Sequence, residues 1–142
     1  MTETQAGSIT VRRTIEASAE EIFDAWLDAE SLATWMQPGA ILRATARTEA
    51  RVGGAFEIVM HTDAEQLLHR GTYQQIERPR RLVFTWISPA TEQRESLVSV
   101  ELHARGNATE VVVTHERLPE RETASHVQGW TDALALLARK LG

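Results

Sequence analysis

The chain has 142 residues, 42% of them hydrophobic and 25% charged, with no cysteine and a formal net charge of -5. These shares exclude disordered, collagenous and fibrous classes, and the missing thiol excludes disulfides, iron–sulfur clusters and thiol catalysis. The negative charge argues against unspecific binding to nucleic acid, no apolar run nears the ~18 residues that cross a bilayer, and the polar start Thr2-Glu3-Thr4-Gln5 is no secretory signal.

One soluble cytoplasmic domain over residues 1–142 is therefore expected, with residues 1–8 a flexible terminus. Ile9, Val11, Arg13 and Ile15 then alternate with Thr10, Arg12, Thr14 and Glu16, the period of a strand with one buried face. In Ala17-Ser18-Ala19-Glu20-Glu21-Ile22, Ser18 and Glu21 form a capping box and Ala17 can staple onto Ile22. Ile22, Phe23, Trp26 and Ala29 recur at helical spacing. A second short helix over residues 30–35 stops at Pro38-Gly39.

From there the period is two. Val52-Gly53-Gly54-Ala55 punctuates the chain before Phe56, Ile58 and Met60, and Arg78-Pro79-Arg80 turns the run over residues 66–77. Leu82, Phe84 and Trp86 alternate in the next run, and Val98, Val100 and Leu102 in the one after. Gly106-Asn107 makes the hairpin turn into Val111, Val113 and His115. Such runs imply an antiparallel meander. The chain closes with a long helix capped by Thr123, its apolar stripe running Val127, Trp130, Leu134, Leu137 and Leu141. A stripe of that length needs a curved sheet wrapped around it.

Several pieces, in order, carry a resemblance. They are Ala17 to Trp26, Trp35-Met36-Gln37-Pro38, Gly53-Gly54-Ala55-Phe56, and Gly71-Thr72-Tyr73 leading through Ile76 and Pro79 to Leu82-Val83-Phe84-Thr85-Trp86. Thr109 to His115 and the closing Gly129-Trp130 with Leu134 and Leu137 complete the set. On these the chain resembles the activator of heat shock protein 90 ATPase homologue family, a branch of the SRPBCC, or START-like, helix-grip superfamily. The resemblance implies an α+β helix-grip fold: a curved antiparallel sheet around the C-terminal helix, two short helices after the first strand, and a cavity between sheet and helix.

The residues expected at such a cavity are Phe56, Ile58, Met60, Tyr73, Phe84, Trp86 and Val113 from the sheet and Trp130 and Leu134 from the helix. Trp86 and Trp130 are the better wall candidates, since indole is large and carries a donor that wants a partner. His115 shares the phase of Val111 and Val113 and points inward, where it could orient or protonate a ligand. His126 sits near the start of the last helix, at the cavity mouth, whereas His61, His69 and His103 read as solvated. Gly129 inside a helix costs ~1 kcal/mol relative to alanine, which suggests a close approach to a strand or to a ligand. Arg13 and Arg43 could counter a ligand anion or form structural ion pairs, and the arginines around Pro79 read as a solvated turn. Glu101 and Glu110 alternate outward. Neither a nucleophile elbow nor a metal-ligand spacing is present, and no cofactor is expected.

Three functions fit these residues. The first is binding of a small hydrophobic or aromatic molecule in the cavity, whose inventory of apolar walls and few polar groups suits such a site. The second is an enzyme of the polyketide cyclase or dehydratase type using the same cavity, with His115, His126 and Tyr73 as the groups able to move protons. The third is a chaperone-interaction module, which requires an exposed apolar patch. Homodimerisation is compatible with each, and no nucleic acid or membrane partner is expected.

Overall fold

The computed structural model describes residues 7–141. Its first strand, β1 (Ile9–Ile15), buries Val11 and Ile15 and exposes Arg13. Ser18 then caps α1 (Ala19–Leu27) as its sequence demands: its hydroxyl accepts the Glu21 N–H at 3.1 Å, and Glu21 Oε1 accepts the Ser18 N–H at 3.3 Å. Asp28 repeats the device for α2 (Ala29–Trp35), accepting the Ser31 N–H at 3.0 Å. These two helices bury Ile22, Phe23, Trp26, Leu32 and Trp35.

Six further strands follow: β2 (Arg43–Thr48), β3 (Ala55–His61), β4 (Gln66–Glu77), β5 (Arg81–Trp86), β6 (Ser96–Arg105) and β7 (Ala108–Glu116). All seven form one antiparallel sheet in the order β1-β7-β6-β5-β4-β3-β2. From β2 to β7 each strand pairs with its neighbour in sequence, as a meander should. Only β1 departs, pairing with β7. The chain from β1 to β2 thus passes from one sheet edge to the other, and α1 and α2 lie on that path. The sheet curls into a half-barrel.

Helix α3 (Thr123–Leu141) lies in the hollow, against β1 and α2, and buries His126, Trp130, Ala133, Leu134 and Leu137. The sheet answers with Phe56, Ile58, Leu82, Phe84, Val98, Val100, Val111 and Val113, all buried. This is the helix-grip architecture that the alternation and the closing stripe imply.

Some local expectations need correction. Thr123 is the first residue of α3 rather than its cap: the chain enters through a 3-10 turn, Glu120–Glu122, and Thr123 Oγ1 donates to the Glu120 carbonyl at 2.9 Å. The buried stripe begins at His126 instead of Val127, which is 40% exposed. One residue along a helix is a rotation of about 100°, enough to carry Val127 off the face that His126 and Trp130 share. Gly7 is anchored, its carbonyl accepting the Leu118 N–H at 2.8 Å; the remainder of the expected flexible terminus, residues 1–6, lies outside the described residues. The turn around Pro79 is solvated as expected, with Arg78 and Arg80 exposed, and it carries surface ion pairs of Arg78 with Asp24 and Arg81 with Glu101.

Candidate functional site

A partly open cavity of about 160 Å³ lies between the sheet and the N-terminal half of α3. Met36 and Pro38 reach it from the segment after α2, Met60 from β3, His69 from β4, Trp86 from the end of β5 and Ala90 from the turn that follows. Ser125, His126, Gly129 and Trp130 face it from α3. A smaller inner void of about 10 Å³ adjoins this cavity and shares Met36 and Trp86 with it. Trp26, Leu32, Phe56, Ile58, Tyr73 and Phe84 complete the lining of the void.

Aromatic contacts bind the two spaces together. Trp130 lies 5.4 Å from Trp86 and 5.8 Å from Trp26, centroid to centroid, and Phe56 stands edge-on to Phe84 at 5.3 Å. A chain of hydrogen bonds holds the indole walls in place. Trp130 Nε1–H donates to His115 Nδ1 at 3.0 Å, His115 Nε2 meets Ser96 Oγ at 2.8 Å, and Ser96 Oγ donates to the Trp86 carbonyl at 2.6 Å. The partners fix the tautomer. A carbonyl only accepts and an indole N–H only donates, so Ser96 gives its proton to Trp86 and His115 gives Nε2–H to Ser96.

Protonation states follow from burial. His115 is held well below its ordinary value, by burial first and by the charge of His126 second. His69 is lowered to about 4, mainly by burial and also by His126, with the Leu67 and Ile58 carbonyls opposing. Its Nδ1 donates to the Leu67 carbonyl at 3.1 Å. His126 Nδ1 donates to the Glu122 carbonyl at 2.7 Å and its ring stands edge-on to His115 at 5.0 Å. Burial raises the Tyr73 hydroxyl above its ordinary value, so it stays protonated and able to donate.

Of the residues expected at the site, Met60, Trp86, His126 and Trp130 line the cavity. Phe56, Ile58, Tyr73 and Phe84 line the inner void. Val113 and Leu134 are fully buried core and border neither space. His115 is also fully buried and reaches the cavity only through its neighbours Trp86, Trp130 and His126. Sequence reasoning missed Met36, Pro38, Ala90, Ser125 and, most clearly, His69.

The expectation that His69 is solvated is overturned: it is only 8% exposed and faces inward. A signal was present, because His69 has the parity of Tyr73 on the same strand. It pairs with Ile58, whose side chain is inward. Beyond Tyr73 a bulge shifts the register, so the parity of Ile76 misleads. Gly129 has no strand against it; a Cβ there would meet only Pro38 Cβ, at 3.9 Å, so its open side is the cavity. Arg13 and Arg43 are exposed and line neither space. Among the described residues no group of three or more His, Cys, Asp and Glu could hold a metal ion, and no helix is long and apolar enough to cross a membrane.

The sequence profile described as Activator of Hsp90 ATPase homolog 1-like protein matches residues 16–142, so the chain belongs to that family. No curated protein matches it. Among solved structures, protein CV1439 from Chromobacterium violaceum is similar with a TM-score of 0.82 and 21% identity, over 95% of this chain and 96% of that one. CalU16 from Micromonospora echinospora is similar with a TM-score of 0.72 and 22% identity, over 95% and 76%. DynU16, a protein of the dynemicin biosynthetic locus, is similar with a TM-score of 0.78 and 21% identity, over 95% of this chain and 47% of that one. At these identities the likeness is one of fold.

Proposed function

We propose that this member of the Activator of Hsp90 ATPase homolog 1-like family binds a small, neutral, apolar or aromatic molecule in the cavity between sheet and α3. The supporting observation is the composition of the wall. Two indoles, two methionines and a proline face the space, its polar groups are the His69 and His126 rings and the Ser125 hydroxyl, and among the described residues no Lys, Arg, Asp or Glu lines it. His69, held neutral near pH 7, offers no charge to an anion. The volume matches the ~150 Å³ at which an apolar cavity accepts benzene, so the occupant is about one ring in size. The fold-level likeness to DynU16, from a biosynthetic locus, supports a small organic molecule as the occupant.

Trp86 and Trp130 report the test directly. Toluene, phenol and benzoate are titrated at pH 7.5 by tryptophan fluorescence and calorimetry, against the wild type and Gly129→Leu. The neutral compounds should bind and perturb the emission, benzoate should bind more weakly, and Gly129→Leu should lose binding while remaining folded. Absence of binding by all three, or equal binding to the leucine variant, refutes the assignment.

A further inference from the structure

Resting on that reading, we propose that the inner void is a second subsite of the same pocket, one that takes a hydrogen-bond acceptor of the ligand such as a ketone oxygen. The observation is an orphaned donor. The Trp26 indole N–H is buried and has no acceptor among the described residues, a costly condition for a donor removed from water. Two other indoles of this cluster are paired: Trp35 donates to the Ala25 carbonyl at 3.1 Å and Trp130 to His115. Trp26 is the buried indole left without a partner among the described residues, and it lines the inner void.

Size and chemistry agree. At about 10 Å³ the void has room for one water-sized atom, no more. A carbonyl oxygen fits; a ring or a methyl-bearing chain does not. Tyr73 also lines the void, and its phenol can donate beside the indole, which can only donate. Met36 and Trp86 stand between this void and the outer cavity. Methionine is unbranched and adapts its rotamer readily, so a ring in the outer cavity can pass an oxygen past Met36 without moving the sheet.

The test uses two probes of nearly equal shape, acetophenone and ethylbenzene, which differ in a carbonyl oxygen. Calorimetry on the wild type and on Trp26→Phe gives the affinity ratio of the two probes in each protein. The ratio should fall about tenfold in the variant, the worth of one hydrogen bond to an otherwise unpaired donor. In the wild-type ¹H–¹⁵N spectrum the Trp26 indole resonance should move downfield with acetophenone and not with ethylbenzene, while that of Trp35 stays. This spectrum decides the matter even where Trp26→Phe fails to fold.

Binding of both probes with no response at Trp26 overturns the subsite and leaves the cavity reading standing. So does a ratio unchanged in Trp26→Phe, which would place the acceptor elsewhere. If neither probe binds, the cavity reading fails and the subsite falls with it.

Discussion

Replacing Gly129 by alanine should stabilise the fold while narrowing the cavity. Glycine inside a helix costs about 0.8–1.0 kcal/mol relative to alanine, and Gly129 lies in the interior of α3. The added Cβ would meet only Pro38 Cβ at 3.9 Å, an ordinary van der Waals distance, so no steric term offsets the gain. Unfolding entropy near 2.1 cal/mol/K per residue makes 1 kcal/mol worth about 3 °C in Tm for a chain of this length. Urea unfolding and thermal melts followed by far-UV circular dichroism measure both quantities. A loss of stability in Gly129→Ala would show that the glycine answers a backbone constraint, and would remove the inference that its open side is there for a ligand.

Gly71→Ala should do the opposite, because a Cβ there would lie 1.9 Å from the Thr85 carbonyl oxygen and 2.7 Å from the Phe56 ring. A loss of about 3 kcal/mol or more in urea unfolding is expected. Ser96→Ala strands the Trp86 carbonyl and the His115 Nε2–H, which at 1–3 kcal/mol for each buried orphan costs about 2–6 kcal/mol. Its Trp fluorescence should also shift as the walls loosen. Stability should fall as pH drops from about 6.5 to about 4, because His69 is held near 4 when folded and returns to about 6.5 unfolded. The unfolded chain then binds the extra proton across that window, so stability is full above it and lost below. For His69 alone the loss is about 3 kcal/mol, and His115 is shifted in the same direction. His69→Gln should flatten the pH profile of the urea midpoint, and an unchanged profile would refute the assignment.

The sheet and its buried face were legible because alternation is a one-dimensional signal. Phe56, Ile58 and Met60 on β3 are all inward and buried, as their period requires. The Ser18–Glu21 box is equally local, and it closes α1 as read. Parity tells which side of a strand a residue faces, but not whether it meets another side chain or an empty space. Val113 and Met60 share the inward property, yet Val113 packs under α3 while Met60 borders the cavity. Met36, Pro38 and Ala90 lie outside the strands and long helix, and their part in the wall depends on where the curl of the sheet leaves room. The Trp130–His115–Ser96 chain was out of reach for the same reason. Its members are 34 and fewer positions apart in sequence but are joined only once β6, β7 and α3 are packed.

The cavity itself follows from an asymmetry along α3. Toward its C-terminus the helix presents Ala133, Leu134 and Leu137, all fully buried, and they fill the hollow against Val111, Val113 and their neighbours. Toward its N-terminus it presents Ser125, His126 and Gly129, side chains too short or too polar to do so. The Ser125 hydroxyl and His126 Nδ1 both donate to the Glu122 carbonyl, which turns these groups along the helix and fixes the chemistry of the rim. Across the opening, Asp132 accepts the Gly39 N–H at 3.1 Å and the Gln128 side-chain amide at 2.8 Å, tying the segment that carries Met36 and Pro38 to the same helix. One end of α3 therefore seals the fold while the other sets the width, the polarity and the far wall of the opening. A methyl group at position 129 would cost the fold nothing that the structure reveals, and it would narrow the space.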